Sequence, residues 1–121
     1  MKLFTKEQYK LLLQNGTPEN QDQDHFPVVK LFTPDANCTW LISQIDAENP
    51  DLAFGLGDLG VGFPEMGFIS LTEISELSGK LGLPVERDYS FVGKFPLSVY
   101  ARAALKVDFI TTNEVILQEF L

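Results

Sequence analysis

Cysteine, histidine and tryptophan occur once each in the 121 residues, as Cys38, His25 and Trp40. A single cysteine excludes an internal disulfide framework, and one histidine without a second nitrogen or sulfur ligand leaves zinc no ligand set. No run of about 18 apolar residues exists, so no membrane-spanning helix is expected. The opening Met1-Lys2-Leu3-Phe4-Thr5-Lys6-Glu7 turns polar too early for a secretion signal. These absences predict a cytoplasmic chain. Its length lies within the roughly 100–150 residues usual for one domain and predicts a single domain over 1–121, and 45% hydrophobic residues exclude a disordered chain.

Basic residues are missing from one long stretch. Between Lys30 and Lys80 there is no Lys or Arg, while Asp35, Asp46, Glu48, Asp51, Asp58, Glu65, Glu73 and Glu76 all fall there. This window carries the whole net charge of −8. A chain so acidic lacks the cationic footprint that binding to phosphate backbones requires, so direct nucleic-acid binding is not expected. Its field would attract a protein partner with a basic surface; the plainer reading is charge that keeps the chain soluble.

The local signals predict an α+β fold. Thr5 and Gln8 form a capping box, Phe4 and Tyr9 a hydrophobic staple, and Gly16 a stop, giving a helix over 5–15. Residues 17–25 are polar and without period, and are expected to be a mobile surface loop. Strand patterns at 28–32, 39–46, 52–59 and 66–69, joined by short turns, predict an antiparallel meander of four to five short strands, since parallel pairing needs a long crossover. Ser70 and Glu73 cap a second helix over 70–79, 86–92 reads as strand, and Pro96 opens a third helix to about 105. The tail is ambiguous: Thr111 and Glu114 suggest a capping box and a fourth helix, yet Val115-Ile116-Leu117 fits a strand. The helices are expected on one face of the sheet. The apolar end, through Phe120 and Leu121, must bury on its own domain or on a second copy, forming a homodimer.

The motifs that suggest chemistry fail on inspection. Gly55-Leu56-Gly57-Asp58-Leu59-Gly60 spells G-x-G-x-x-G, but Val61-Gly62-Phe63-Pro64 cannot open the helix whose N-terminus would hold a pyrophosphate. The glycines are expected instead to let a strand curve, bulge or approach a neighbouring backbone. Asp46, Glu48 and Asp51 do not follow the alternating pattern of a calcium loop, so no metal and no cofactor is expected. Cys38 has no base beside it and reads as a structural thiol. Glu86-Arg87-Asp88 reads as an ion pair. No catalytic residue is assigned; Asp58 and Glu65, bracketing a Gly-rich turn, are the one carboxylate pair an enzyme could use. The candidate binding residues are Trp40, Asp46, Asp51, Asp58, Phe63 and Glu65, an aromatic–acidic set suited to an Arg-rich surface.

Several segments, taken in order, resemble one family. Val28-Val29-Lys30-Leu31-Phe32-Thr33-Pro34-Asp35, Thr39-Trp40-Leu41, Phe54 to Gly60, Pro64-Glu65-Met66-Gly67 and Glu86-Arg87-Asp88 resemble the bacterial family catalogued as domain of unknown function 2958, over about residues 2–105. Residues 106–121 read as a C-terminal extension. The resemblance implies a small cytoplasmic protein encoded on plasmids, phages or other mobile elements, sometimes near antirestriction genes, and carries no catalytic residues. It supports an accessory, non-catalytic interaction protein; the alternatives are an acidic nucleic-acid mimic with an antirestriction-like role, and a carboxylate enzyme.

Overall fold

The computed structural model describes residues 3–121. Helix α1 (Lys6–Asn15) is followed by strands β1 (Val29–Phe32), β2 (Thr39–Ile45), β3 (Leu52–Asp58) and β4 (Glu65–Ser70), then α2 (Leu71–Glu76), β5 (Glu86–Arg87), α3 (Leu97–Val107) and α4 (Glu114–Gln118). The strands form one antiparallel sheet in the order β4-β3-β2-β1-β5. The α+β meander is therefore as the sequence predicts.

Local chemistry sets the helix starts. The Thr5 hydroxyl accepts from the Gln8 N–H at 3.0 Å while the Gln8 side chain accepts from the Thr5 N–H at 2.9 Å, satisfying two otherwise orphaned donors. The Phe4 and Tyr9 rings stack with centroids 6.4 Å apart. Ser70 caps α2 through the Glu73 N–H, although that helix stops at Glu76. The tail resolves as helix, but its cap is Asn113, whose side chain accepts from the N–H groups of Val115 and Ile116; Thr111 instead accepts from the Asn113 N–H.

The helices do not share one face of the sheet. Strand side chains alternate, so β2 sends Trp40 and Ile42 one way and Leu41 the other. Trp40, Ile42, Val29, Leu31 and Ala53 pack with Leu12 of α1 and Ile74 of α2. Leu41 and Leu56 pack with Leu97, Tyr100, Ala104 and Leu117 from α3 and α4 on the opposite face. Apolar side chains on both faces of β2 demand cover on both, which a count of helices does not reveal.

Residues 17–25 are held by distant partners. Gln44 donates to the Gln21 carbonyl at 3.2 Å, and the Asp24 carboxylate accepts from the Ser98 N–H at 3.1 Å and from the Ser98 hydroxyl. A loop 74 residues away thus caps α3, which has no side-chain cap of its own at Pro96. Among the described residues no helix is long and apolar enough to cross a membrane.

Candidate functional site

The sheet has two ends, and they differ in chemistry. At one end the β2–β3 turn, residues 46–51, meets the start of α2. Asp46 accepts from the N–H groups of Glu48 and Asn49 at 2.8 and 3.2 Å. Asp51 accepts from the Ser70 hydroxyl at 2.8 Å and from the Thr72 N–H and hydroxyl at 2.8 and 2.6 Å. These bonds, the Thr72 hydroxyl first, hold the Asp51 carboxyl below its ordinary range. Asp46 and Asp51 are thus bonded into their own turn and the adjoining helix start.

At the other end the β1–β2 turn, the β3–β4 loop and the segment after α3 come together around Asp58. One Asp58 oxygen accepts from the Gly60 N–H at 2.8 Å and the other from the Ile110 N–H at 3.0 Å, and the residue is 5% exposed. Its two oxygens serve as fasteners for two chain segments. Gly60 has φ 81°, and a Cβ there would lie 2.6 Å from the Cβ of Asn37, so the loop is seated against the β1–β2 turn. The Cys38 thiol donates to the Leu59 carbonyl at 3.8 Å across the same seam.

From this fixed base the loop sends apolar side chains outward. Leu59, Val61 and Phe63 are 61, 68 and 77% exposed, while Pro64 is buried and Glu65 projects to solvent at the start of β4. The two sheet-edge side chains Met66 and Phe68 extend the apolar surface along β4. Loop 59–65 is the one place where a predicted binding aromatic, Phe63, and a predicted binding acid, Glu65, stand together and accessible.

The other candidates separate. Trp40 is 4% exposed, with its indole over Gly57 at 3.3 Å from where a Cβ would be. It is a core residue and cannot offer its ring to a partner, because the inward phase of β2 selects it. Asp58 is likewise interior. Asp46 and Asp51 lie a whole strand away from Glu65, about 20 Å at ~3.3 Å per residue. The acidic window is therefore not one surface.

The G-x-G-x-x-G segment is structural throughout. A Cβ on Gly55 would stand 2.0 Å from the Leu41 carbonyl oxygen, where the β2–β3 register shifts between Ile42 and Gln44. Gly57 makes room for Trp40 and Gly60 turns the loop.

Two further groups could have carried chemistry and are occupied. A cleft of ≈ 430 Å³ is lined by Lys30, Cys38, Asp58 and Asp88 among others. Lys30 pairs with Asp88 at 3.5 Å, and Asp88, bonded first by the Ser90 hydroxyl and also facing Lys30, is held below the ordinary carboxylate range. Of the Glu86-Arg87-Asp88 segment only Asp88 joins an ion pair, and with Lys30 of β1 rather than with Arg87, which lies over the Tyr89 ring at 4.9 Å. Among the described residues no group of three or more His, Cys, Asp or Glu is placed to hold a metal ion.

Leu59 and Val61, exposed beside Phe63, are candidate residues that sequence reasoning passed over. Apolar residues alternating with glycines in a turn too irregular for a strand were the signal available. A family model described as protein of unknown function (DUF2958) matches residues 3–111. No curated protein and no solved structure matches the chain.

Proposed function

The chain belongs to that family, and for this member of it we propose a non-catalytic accessory role: it docks a protein partner on loop 59–65. The observation that carries the reading is Phe63, 77% exposed on the returning limb of a loop whose base is fastened by Asp58 and seated on Asn37. A large apolar ring in water is unfavourable unless a partner covers it, and a pre-ordered loop loses little conformational entropy on binding. Leu59 and Val61 widen the contact and Glu65 adds one charge at its rim. The partner that fits presents an apolar recess bordered by Arg or Lys, and the chain's net charge of −8 speeds its approach.

An enzyme built on Asp58 and Glu65 is less well supported, because both Asp58 oxygens already accept backbone N–H groups. A phosphate mimic needs a continuous array of acids, and the acids here fall at opposite ends of the sheet. The mobile-element setting implied by the family resemblance fits an accessory interaction protein acting in the cytoplasm.

The test is capture from lysate of the host, with Phe63→Ala and Glu65→Gln baits beside the natural chain. Removal of a central aromatic typically costs about 2 kcal/mol or more, so Phe63→Ala should lower affinity about 30-fold, whereas Glu65→Gln should slow association and weaken its salt dependence. Equal retention of the same partner by all baits would sink the proposal.

A further inference from the structure

We infer that a second copy of this chain pairs with β4, joining two sheets antiparallel through a twofold axis at Gly67. This goes beyond the docking of a different protein on loop 59–65. The argument starts from which backbone groups β4 leaves free. The Leu71 N–H donates to the Asp51 carbonyl at 2.9 Å, fixing that pair as hydrogen-bonded. Antiparallel ladders alternate, so Ile69, Gly67 and Glu65 point their backbone groups at β3. The N–H and C=O groups of Met66 and Phe68 then point outward, and among the described residues no strand pairs with them.

Exposed edges are normally guarded by charge, Pro, bulges or brevity. The opposite edge, β5, is two residues long and consists of Glu86 and Arg87. Strand β4 runs for six residues as Glu-Met-Gly-Phe-Ile-Ser, with one charge at its end. Its outward register is self-complementary. A twofold at Gly67 places Met66 opposite the partner's Phe68, and Phe68 opposite the partner's Met66, each pair exchanging both backbone bonds. Met66 and Phe68 are 47 and 68% exposed on the same face, so the cross-strand pairs bring sulfur to aromatic ring. Glu65 meets the partner's Ile69, and no two acids stand opposite each other. Gly67 faces the partner's Gly67, and a Cβ built there has nothing within 4 Å.

The area is sufficient for a weak specific dimer. A fully covered Phe buries about 150–250 Å². Phe68 and Met66, 68 and 47% exposed, offer with the flanking side chains and the strand backbone on the order of 400 Å² per copy, in the range of weak, concentration-dependent pairs. Two chains of net charge −8 repel, so association should strengthen with salt, opposite to the response of a basic partner.

Sedimentation across a concentration series tests this. A mass moving from 13.5 kDa towards twice that value is expected, with the midpoint falling several-fold from about 0.05 M to 0.5 M salt. Phe68→Lys and Met66→Lys, both at solvent-facing positions, should each weaken the dimer at least tenfold with unchanged circular dichroism. Gly67→Cys on a Cys38→Ser background should oxidise to a linked dimer, since directly opposed non-bonded residues have Cα atoms about 4.5 Å apart, within disulfide range. A monomer at every concentration overturns the inference, as does a dimer indifferent to both lysine substitutions.

Discussion

Two aspartates show how one residue type takes different tasks from its surroundings. Asp58 holds the Gly60 and Ile110 N–H groups in the interior, so Asp58→Asn, which puts a donor where one acceptor stood, should cost about 1–3 kcal/mol. Urea denaturation measures it, and hydrogen exchange at Ile110 should rise disproportionately. Asp51 works in solvent. Its folded-state pKa lies below the ordinary 3.8, so its contribution is present above that value and is lost as pH falls through the lower, folded one. Thermal melts from about pH 6 down to pH 2 should show a shallower acid-side fall for Asp51→Asn than for the natural chain; parallel curves would remove Asp51 from acid sensitivity. Neither role is written in the sequence. Asp58 finds its second donor 52 residues away, and the acids of one charge window divide between the two ends of a strand.

At the scale of elements, what was legible was local. The Thr5–Gln8 box, the Ser70 cap and the short turns of the meander are decided by neighbours a few residues apart, and the structure has them. What depends on distant chain was not legible. The cap of α3 comes from Asp24, the division of helices between two faces follows from β2 burying both of its sides, and Trp40 is assigned to the core by strand phase. The tail lay between these cases. Its apolar residues had to be covered, but Val115-Ile116-Leu117 alone fits either period. Packing decides it: Leu117 is 1% exposed against α3, with Ile110, Ile116 and Phe120 beside it, while the Arg102 guanidinium holds the Phe120 carbonyl. Leu117→Ala should therefore destabilise by about 2–4 kcal/mol, and truncation after Lys106 should lower the melting temperature further. A truncated chain that melts like the intact one would show that α4 is not part of the cooperative unit.

Taken whole, the molecule has a sheet whose two ends differ in surface chemistry. Asp46, Glu48, Asp51 and Glu73 crowd the hairpin end beside α2, and Leu59, Val61 and Phe63 occupy the other. Crowded like charges oppose compaction, so moderate NaCl should raise the melting temperature of the monomer, and the gain should shrink in a Glu48→Gln, Glu73→Gln double variant. An unchanged salt response in that variant would place the repulsion elsewhere. The indole of Trp40 adds a practical consequence. It is the sole tryptophan, enclosed beneath the sheet and resting on Gly57, whose pairing partner is Glu65 at the head of β4. Its emission is therefore a built-in optical probe of sheet integrity, reddening when the strands separate and staying constant when a ligand merely covers Phe63.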